Sequence, residues 1–311
     1  MKPRIFIDGE HGTTGLQIRD RLESRDDIEL LSLPVEDRRD NEKRRAMLGS
    51  CDLAILCLPD DAAREAVSMI AETGNEACKV IDTSTAHRTA EDWVFGFAEL
   101  DQDQAQRIKS SKRVSNPGCY STGAIALLKP LVDAGIMTKD FPVTINAVSG
   151  YTGGGKSLIA QMEDASTRDH IETSFHLYAL QLQHKHVPEI VARCGLVRRP
   201  IFMPSVGRFR QGMLVSVPLH LDQLHFASQQ TVRGALEVHY EGSQYVSIAD
   251  AAETAAIKHL RPEDFTGRDD MKLWVFGDDN TGHVNLVAQL DNLGKGASGA
   301  AVQNLNLMIQ G

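Results

Sequence analysis

The sequence predicts an α/β protein: a doubly wound parallel-sheet domain into which an α+β domain on a mostly antiparallel sheet is inserted. Three observations predict it. The chain opens as strand, glycine-rich loop, helix, strand: a short apolar run at 4–7, then Gly9-Glu10-His11-Gly12-Thr13-Thr14-Gly15, then Leu16, Ile18 and Leu22 at helical spacing, then a second apolar run at 28–33. Residues 52–59 (DLAILCLP) form a continuous apolar run, as a strand buried on both faces does. Beyond about residue 120 the character changes, and the segments 201–203, 212–221 and 272–277 alternate apolar with polar residues. With 311 residues the chain exceeds one ordinary core, so two domains are expected.

The remaining elements follow in order. Residues 62–71 read as a helix, 79–82 as a strand and 101–112 as a polar surface helix, and Val114 begins the strand that delivers Cys119. A helix at 124–131, a strand at 142–149, a helix at 231–240 and a strand at 283–290 belong to the second domain. The apolar-faced helix at 299–309 returns to the first. The expected division is 1–117 plus about 291–311 for the first domain and 118–290 for the second.

Composition narrows the function. Hydrophobic content of 42% and charged content of 24% are those of an ordinary globular protein. A net charge of −9 argues against a nucleic-acid surface, and the one dense basic cluster, Arg38, Arg39, Lys43, Arg44 and Arg45, is interrupted by Asp37, Asp40 and Glu42. No apolar run reaches the roughly 18 residues of a membrane span. The start, MKPRIFIDGE, enters a strand directly and does not read as a signal peptide. Five cysteines at irregular spacing do not make a disulfide framework, so the reducing cytoplasm is the expected setting.

The first loop carries the first chemistry. Glycines three apart, Gly9, Gly12 and Gly15, allow a tight turn and close backbone approach, and the helix start at Thr13 and Thr14 offers amides to a pyrophosphate. A glycine-rich turn without a ligand is the alternative. A site for NAD usually carries an acid at the end of the second strand to bind the ribose 2′-hydroxyl. Here Ser32 stands in that place, and Arg38 and Arg39 follow, which suits a 2′-phosphate and points to NADP(H); an ordinary solvated loop is the other reading. Pro59, and Ser84 in the loop Thr83-Ser84-Thr85-Ala86-His87-Arg88, lie past the carboxyl ends of later strands, where ligands bind in such sheets. Cys51, Cys57 and Cys78 read as core or strand-edge residues.

The second chemistry sits in SNPGCYSTG, residues 115–123. Asn116, Pro117 and Gly118 make a turn, and Cys119 falls at the start of a helix. Unpaired amides and the helix dipole there lower a thiol pKa, the condition for a nucleophile. A small buried hydrophobe is the competing reading. Gly150-Tyr151-Thr152-Gly153-Gly154-Gly155-Lys156-Ser157 matches the phosphate-binding pattern G-x-x-x-x-G-K-[ST]. A nucleotide triphosphatase is therefore a rival, weakened by the loop's place after the parallel core and by the lack of a later strand ending in Asp. In Gln183-His184-Lys185-His186, an extended backbone would send the two imidazoles to opposite sides. One histidine near a thiol serves acid–base chemistry, and no cluster of ligands accompanies the pair to make a metal site. Gly207-Arg208-Phe209-Arg210-Gln211-Gly212 offers positive charge to a carboxylate or phosphate, or is an ordinary basic turn.

Taken together, the stretches 7–18, 53–60, 115–123, 147–157, 178–190 and NLGKGASGAAVQNLN at 292–306 resemble the N-acetyl-gamma-glutamyl-phosphate reductases of the shorter subclass, relatives of aspartate-semialdehyde dehydrogenase. The resemblance implies a Rossmann-type NADP-binding domain with an inserted catalytic and oligomerisation domain. It implies NADPH-dependent reductive dephosphorylation of N-acetyl-L-glutamyl 5-phosphate to the 5-semialdehyde, a step in arginine synthesis. The antiparallel sheet of the second domain suggests a homodimer or homotetramer, and the small-molecule partners expected are the acyl phosphate and inorganic phosphate. By resemblance Cys119 is the nucleophile and His184 the catalytic histidine. Asn116, Lys156, Tyr178, His186, Arg208 and Arg210 are the substrate-binding candidates. The chain departs from the pattern at Ser121, where the family often has Pro, and at Arg210-Gln211-Gly212, where it has Arg-Gly. A related acyl-phosphate reductase, such as aspartate-semialdehyde dehydrogenase, and an NADP-binding protein without catalysis are the remaining alternatives.

Overall fold

The computed structural model describes residues 1–310, and these fall into two units, each built on its own sheet. Met1–Ala98, Gln102–Gly118 and the chain from Ala297 onward make the first unit; Glu99–Asp101 and Cys119–Gly296 make the second. In chain order the first unit holds β1 (Arg4–Asp8), α1 (Thr13–Leu22), β2 (Glu29–Leu31), α2 (Asn41–Leu48), β3 (Leu53–Leu56), α3 (Asp60–Glu72), β4 (Lys79–Asp82), β5 (Val94–Phe95), α4 (Gln104–Ser110) and β6 (Arg113–Ser115). The strands lie in the order β2-β1-β3-β4-β6-β5, all parallel. Alternation of side chains divides them between two cores. Ile5, Ile7, Ile55 and Ile81 meet Ile18 and Leu22 of α1 on one face. Phe6, Ala54, Leu56 and Val80 meet Ala63, Ala66 and Ile70 of α3 on the other. All of β3 is buried, which is why its sequence shows no alternation. The connection from β1 runs one way to β2 and the chain then returns to β3 on the other side. The carboxyl ends of β1 and β3 are therefore the switch point where such sheets bind ligands.

The second unit holds α5 (Cys119–Asp133), β7 (Thr144–Gly150), α6 (Gly155–Glu163), β8 (Phe175–Leu177), α7 (Val187–Cys194), β9 (Ile201–Gly207), β10 (Met213–His220), α8 (Gln229–His239), β11 (Val246–Ile248), α9 (Ala251–Ala256), β12 (Met271–Asp278) and β13 (His283–Leu290). The last helix, α10 (Gly299–Ile309), belongs to the first unit. Strand order in the second sheet is β11-β12-β13-β10-β7-β9-β8. Pairing is antiparallel except at β7–β9 and β11–β12, so the sheet is mixed. The parallel pairs arise because each is joined by a crossover containing a helix.

Helix α5 is almost wholly buried and lies against β10 and β13: a Cβ at Gly123 would stand 2.8 Å from Val215 Cγ2. Pro130 lies inside the helix and removes the bond that Ala126 O would normally accept. The hydroxyl of buried Tyr240 supplies that bond at 2.9 Å. Besides Gly118, which stays with the first unit, two boundaries differ from the sequence expectation. Glu99–Asp101 joins the second unit, where the wholly buried Lys295 donates to Glu99 Oε2 at 2.8 Å. The return to the first unit comes at Ala297, inside a π-helical turn at Gly294–Ser298, and not near 291.

Candidate active site

Gly9 follows β1 directly with φ +90°, and a Cβ there would stand 2.4 Å from Cys57 O. A Cβ at Gly15 would stand 2.4 Å from Gly9 O, so the turn and the helix touch backbone to backbone. Gly12 donates to Gly9 O at 2.9 Å and caps α1 without a side-chain bond. No acid stands in the first turn of α1, and Thr13 Oγ1 is buried there without a hydrogen-bond partner. Amides at Thr13 and Thr14, the dipole and an orphaned hydroxyl fit the pyrophosphate of a dinucleotide.

The neighbouring loops are tied down. Pro59 caps α3, and Asp60 in its first turn accepts from Thr85 N at 3.0 Å, joining α3 to the loop after β4. Ser84 donates to buried Asp82 at 2.8 Å and accepts from Ala86 N at 3.1 Å, so its hydroxyl serves the turn. Asp82 also pairs with His87 Nδ1 at 2.6 Å, and His87 stacks on Trp93. Ser32 follows β2 directly and is exposed. The guanidinium beside it is that of Arg19 on α1, with Nη1 3.4 Å from Ser32 Oγ. Arg38 lies exposed on the next turn. Arg19 was missed because its partner lies thirteen residues away across the α1–β2 connection; only its helical register, facing β2, carried a signal.

In the second unit Cys119 is the first residue of α5 and is half-buried. Burial pushes the Cys57 thiol up to about 12, and burial likewise raises Cys194. The cluster next to Cys119 is aromatic. Tyr120 meets His184 at 5.6 Å, His186 at 5.8 Å and Phe202 at 5.3 Å between ring centroids, and its hydroxyl donates to Ser205 O at 3.0 Å. Tyr178 OH lies 3.1 Å from His184 Nε2. Burial raises the Tyr178 phenol, and the thiol joins the cluster through its chain neighbour Tyr120, the second residue of α5. The backbone N–H of His186 donates to His184 Nδ1 at 3.1 Å. A neutral His184 therefore carries its proton on Nε2, facing Tyr178.

Expectation and observation part at several residues. His184 and His186 do not face opposite ways: the segment turns into α7, and their rings meet 4.6 Å apart. Asn116 is buried with both ends of its amide engaged, donating to Ala297 O at 2.9 Å and accepting from Asn304 at 3.0 Å; it frames the turn before Cys119. Arg208 donates to the carbonyls of Met162, at 2.8 Å, and Ile171. Arg210 pairs with Glu163 on the surface. Lys156 is exposed in the first turn of α6. In the triphosphate-loop match the first amides are already engaged: Gly150, Tyr151 and Thr152 donate to Gly212, Phe209 and Arg210 carbonyls at 2.9, 3.0 and 3.1 Å, leaving none of these three for a phosphate. Among the described residues no group of three or more His, Cys, Asp or Glu is set to hold a metal ion, and no helix is long and apolar enough to cross a membrane.

A glycine cradle after the first strand of a parallel sheet, and a cysteine that heads a helix of the second unit just past β6, are the parts of a semialdehyde dehydrogenase-type reductase. The profile of the semialdehyde dehydrogenase NAD binding domain matches residues 4–108, and that of the semialdehyde dehydrogenase dimerisation domain matches 119–292. Aspartate semialdehyde dehydrogenase II of Vibrio cholerae, solved with ASA, has the same fold, with a TM-score of 0.75 at 17% identity over 100% of this chain and 99% of that one. The Candida albicans aspartate semialdehyde dehydrogenase solved with NADP gives 0.64 at 14% over 99% and 98%. The N-acetyl-gamma-glutamyl-phosphate reductases of Rhizobium meliloti and Sinorhizobium medicae are 57% and 56% identical to this chain over 310 residues, 99% of each partner. The chain belongs to the N-acetyl-gamma-glutamyl-phosphate reductase family.

Proposed function

We propose that this chain catalyses the reversible, NADPH-dependent reductive dephosphorylation of N-acetyl-L-glutamyl 5-phosphate to N-acetyl-L-glutamate 5-semialdehyde, in arginine synthesis. The observation that carries the reading is the half-buried Cys119 at the head of α5, beside the Tyr178–His184–His186 cluster. The Cys119 thiolate attacks the acyl carbon, the carbon–oxygen bond to phosphate breaks, and a thioester and inorganic phosphate result. Amides of Tyr120 and Ser121 at the helix start stabilise the oxyanion. Bound NADPH supplies the hydride that reduces the thioester carbon. His184 offers its Nε2–H to the resulting alkoxide. The alkoxide reforms a carbonyl, the carbon–sulfur bond breaks, the aldehyde leaves and the thiolate is regenerated, with no net proton demanded of His184.

The cofactor is held by Gly9, Gly12, Thr13, Thr14 and Gly15, with Ser32 toward the 2′-phosphate and Pro59 and Ser84 bordering the site. Tyr178 and His186 support the substrate through His184, and Lys156, exposed on α6, is the cation left to meet an anionic group. A homodimer or homotetramer agrees with the exposed apolar face formed by Phe175, Leu177, Ile201 and Met203 on the paired strands β8 and β9. Five cysteines without a disulfide among the described residues support a cytoplasmic setting.

The test is the reverse assay, offering N-acetylglutamate semialdehyde or aspartate semialdehyde with phosphate and NADP+, and following absorbance of the reduced nicotinamide. The N-acetylated aldehyde is the expected substrate. Cys119→Ser is expected to bind NADP+ as the unaltered chain does and to lose at least about 10³-fold in turnover. Substantial turnover by that variant, or preference for aspartate semialdehyde, overturns the reading.

A further inference from the structure

Three side chains from separate parts of the first unit meet where a doubly wound domain reads the ribose 2′ substituent. Ser32, the residue after β2, donates its hydroxyl to Glu10 Oε1 at 2.6 Å. Arg19, on α1, donates to Glu10 Oε2 at 2.8 Å and stands 3.4 Å from Ser32 Oγ. Glu10 comes from the glycine loop itself, between Gly9 and Gly12, and its side chain is only 4% exposed, whereas that of Arg19 is 34% exposed. The carboxylate is therefore the inner member of the cluster, and the guanidinium and hydroxyl are the outer ones. His11 Nε2 stands farther off, 3.7 Å from Glu10 Oε1.

This arrangement is unexpected for a pocket that takes a phosphate. A 2′-phosphate brings about two negative charges and only acceptor oxygens. It needs donors, yet the Ser32 proton already points at Glu10. It needs net positive charge, yet the Arg19 charge is matched by a carboxylate in direct contact. A plain 2′-hydroxyl meets neither obstacle, because it donates to Ser32 Oγ and carries no charge. A phosphate oxygen bonded to Ser32 Oγ would put its phosphorus within about 6 Å of Glu10 Oε1. At that range, with partial solvent screening, the repulsion of one carboxylate is about tenfold in affinity.

We propose that Glu10 sets the cofactor selectivity of this reductase: it orients Arg19 and Ser32 toward the adenine ribose while its charge holds back the 2′-phosphate, so that NADP(H) is preferred over NAD(H) by less than Arg19 alone would give. The inference rests on the reading of the first unit as the NADP(H) site. It concerns binding and not the chemistry at Cys119. Glutamine at position 10 keeps the shape and, with its amide oxygen toward Arg19, one acceptor contact; its NH2 then donates to Ser32 Oγ, which frees the Ser32 proton, and the charge is removed.

The test is calorimetric titration of the full chain with NADP+, NAD+, 2′,5′-ADP and 5′-AMP. Glu10→Gln is expected to bind NADP+ and 2′,5′-ADP roughly tenfold more tightly, with NAD+ and 5′-AMP changed less than about twofold. Arg19→Met leaves the Glu10 charge unopposed and is expected to weaken NADP+ at least about tenfold while sparing NAD+. Retained NAD+ binding and an unchanged circular dichroism spectrum report that each variant is folded. If Glu10→Gln leaves the NADP+ to NAD+ ratio where it was, or lowers it, Glu10 is a support only and the proposal fails while the cofactor reading stands. Should Glu10→Gln not fold, an unchanged ratio in Arg19→Met overturns the proposal on its own. An unaltered chain that binds neither dinucleotide overturns the cofactor reading and this proposal together.

Discussion

Gly296→Ala is the sharpest probe of the thiol's position. A methyl at Gly296 would lie 2.8 Å from Cys119 Cβ, 3.3 Å from Cys119 Cα and 2.9 Å from Asp291 O. Carbon atoms pack at about 3.5–4.0 Å, so roughly 1 Å of separation must be found. Asp291 yields little. Its carboxylate accepts from Leu293 N at 2.9 Å, Gly267 N at 2.6 Å and Gln211 Nε2 at 2.5 Å, and its carbonyl accepts from Gly296 N at 2.9 Å. The displacement then falls on the head of α5 and carries the sulfur with it. Overpacking of this kind costs about 1–3 kcal/mol of stability, and a 1 Å misplacement of a reacting group costs about 10²-fold in rate. The assay is kcat/KM in the reverse direction, with urea midpoints and NADP+ titration on the same samples. Expected are a roughly 10²-fold loss of kcat/KM, NADP+ binding within about twofold, and a folded protein. Gly234→Ala on α8 is the control: its Cβ meets nothing within 4 Å, and it should gain up to about 1 kcal/mol with activity intact. If Gly296→Ala loses stability but keeps its kcat/KM, the thiol is not held by this contact and the reasoning fails.

Tyr240→Phe should cost about 1–3 kcal/mol by leaving the Ala126 carbonyl unpaired, and clearly less in a Pro130→Ala background, where a backbone N–H becomes available; a double-mutant cycle on urea midpoints with no coupling would refute this. Burial holds the His239 imidazole below its ordinary value of 6.5, so that its contribution to stability is complete above that pH and is lost as pH falls below it through the folded-state value. His239→Gln should flatten the stability profile on the acid side, as read from urea midpoints across pH. Arg44→Met strips the buried Asp8 carboxylate of its partner at 2.9 Å and should cost about 3–5 kcal/mol near neutral pH. Because burial raises Asp8, that variant should be most stable in acid and lose stability as pH rises, with Asp8→Asn added to it restoring most of the loss.

Local pattern reached a definite depth. The strand–glycine–helix opening was legible because Gly9 and Gly15 answer to contacts within a dozen residues and within the same turn, apart from Cys57. The buried strand β3 was legible because burial on both faces erases alternation. The helix start at Cys119 was legible because Pro117 and Gly118 mark it. What escaped depends on partners distant in the chain. Asn116 reads as a polar residue next to a nucleophile, but its amide is engaged by Ala297 and Asn304. Arg208 reads as available charge, but the carbonyls of Met162 and Ile171 take it up. The two histidines were assigned to opposite sides from a strand period, whereas His186 has the αR backbone of a helix cap.

The two glycine-rich loops make the same point in its strongest form. Gly9 to Gly15 and Gly150 to Ser157 both follow a strand and precede a helix, and the second is the better match to a phosphate-binding pattern. What separates them is the destination of the amides that directly follow the strand. After β1 the Gly12 amide closes the turn on Gly9, within the loop, and α1 and α6 alike begin with no side chain over their first N–H groups. At the end of β7, the successive amides of Gly150, Tyr151 and Thr152 run into the 209–212 segment. Backbone donors satisfied within the protein offer nothing to a ligand, whatever the side chains around them spell. A letter pattern reports the conformations a loop is permitted; the strand lying beside it decides whether its donors remain available. That neighbour is a parallel strand with its own loop in the first unit and the segment joining β9 to β10 in the second.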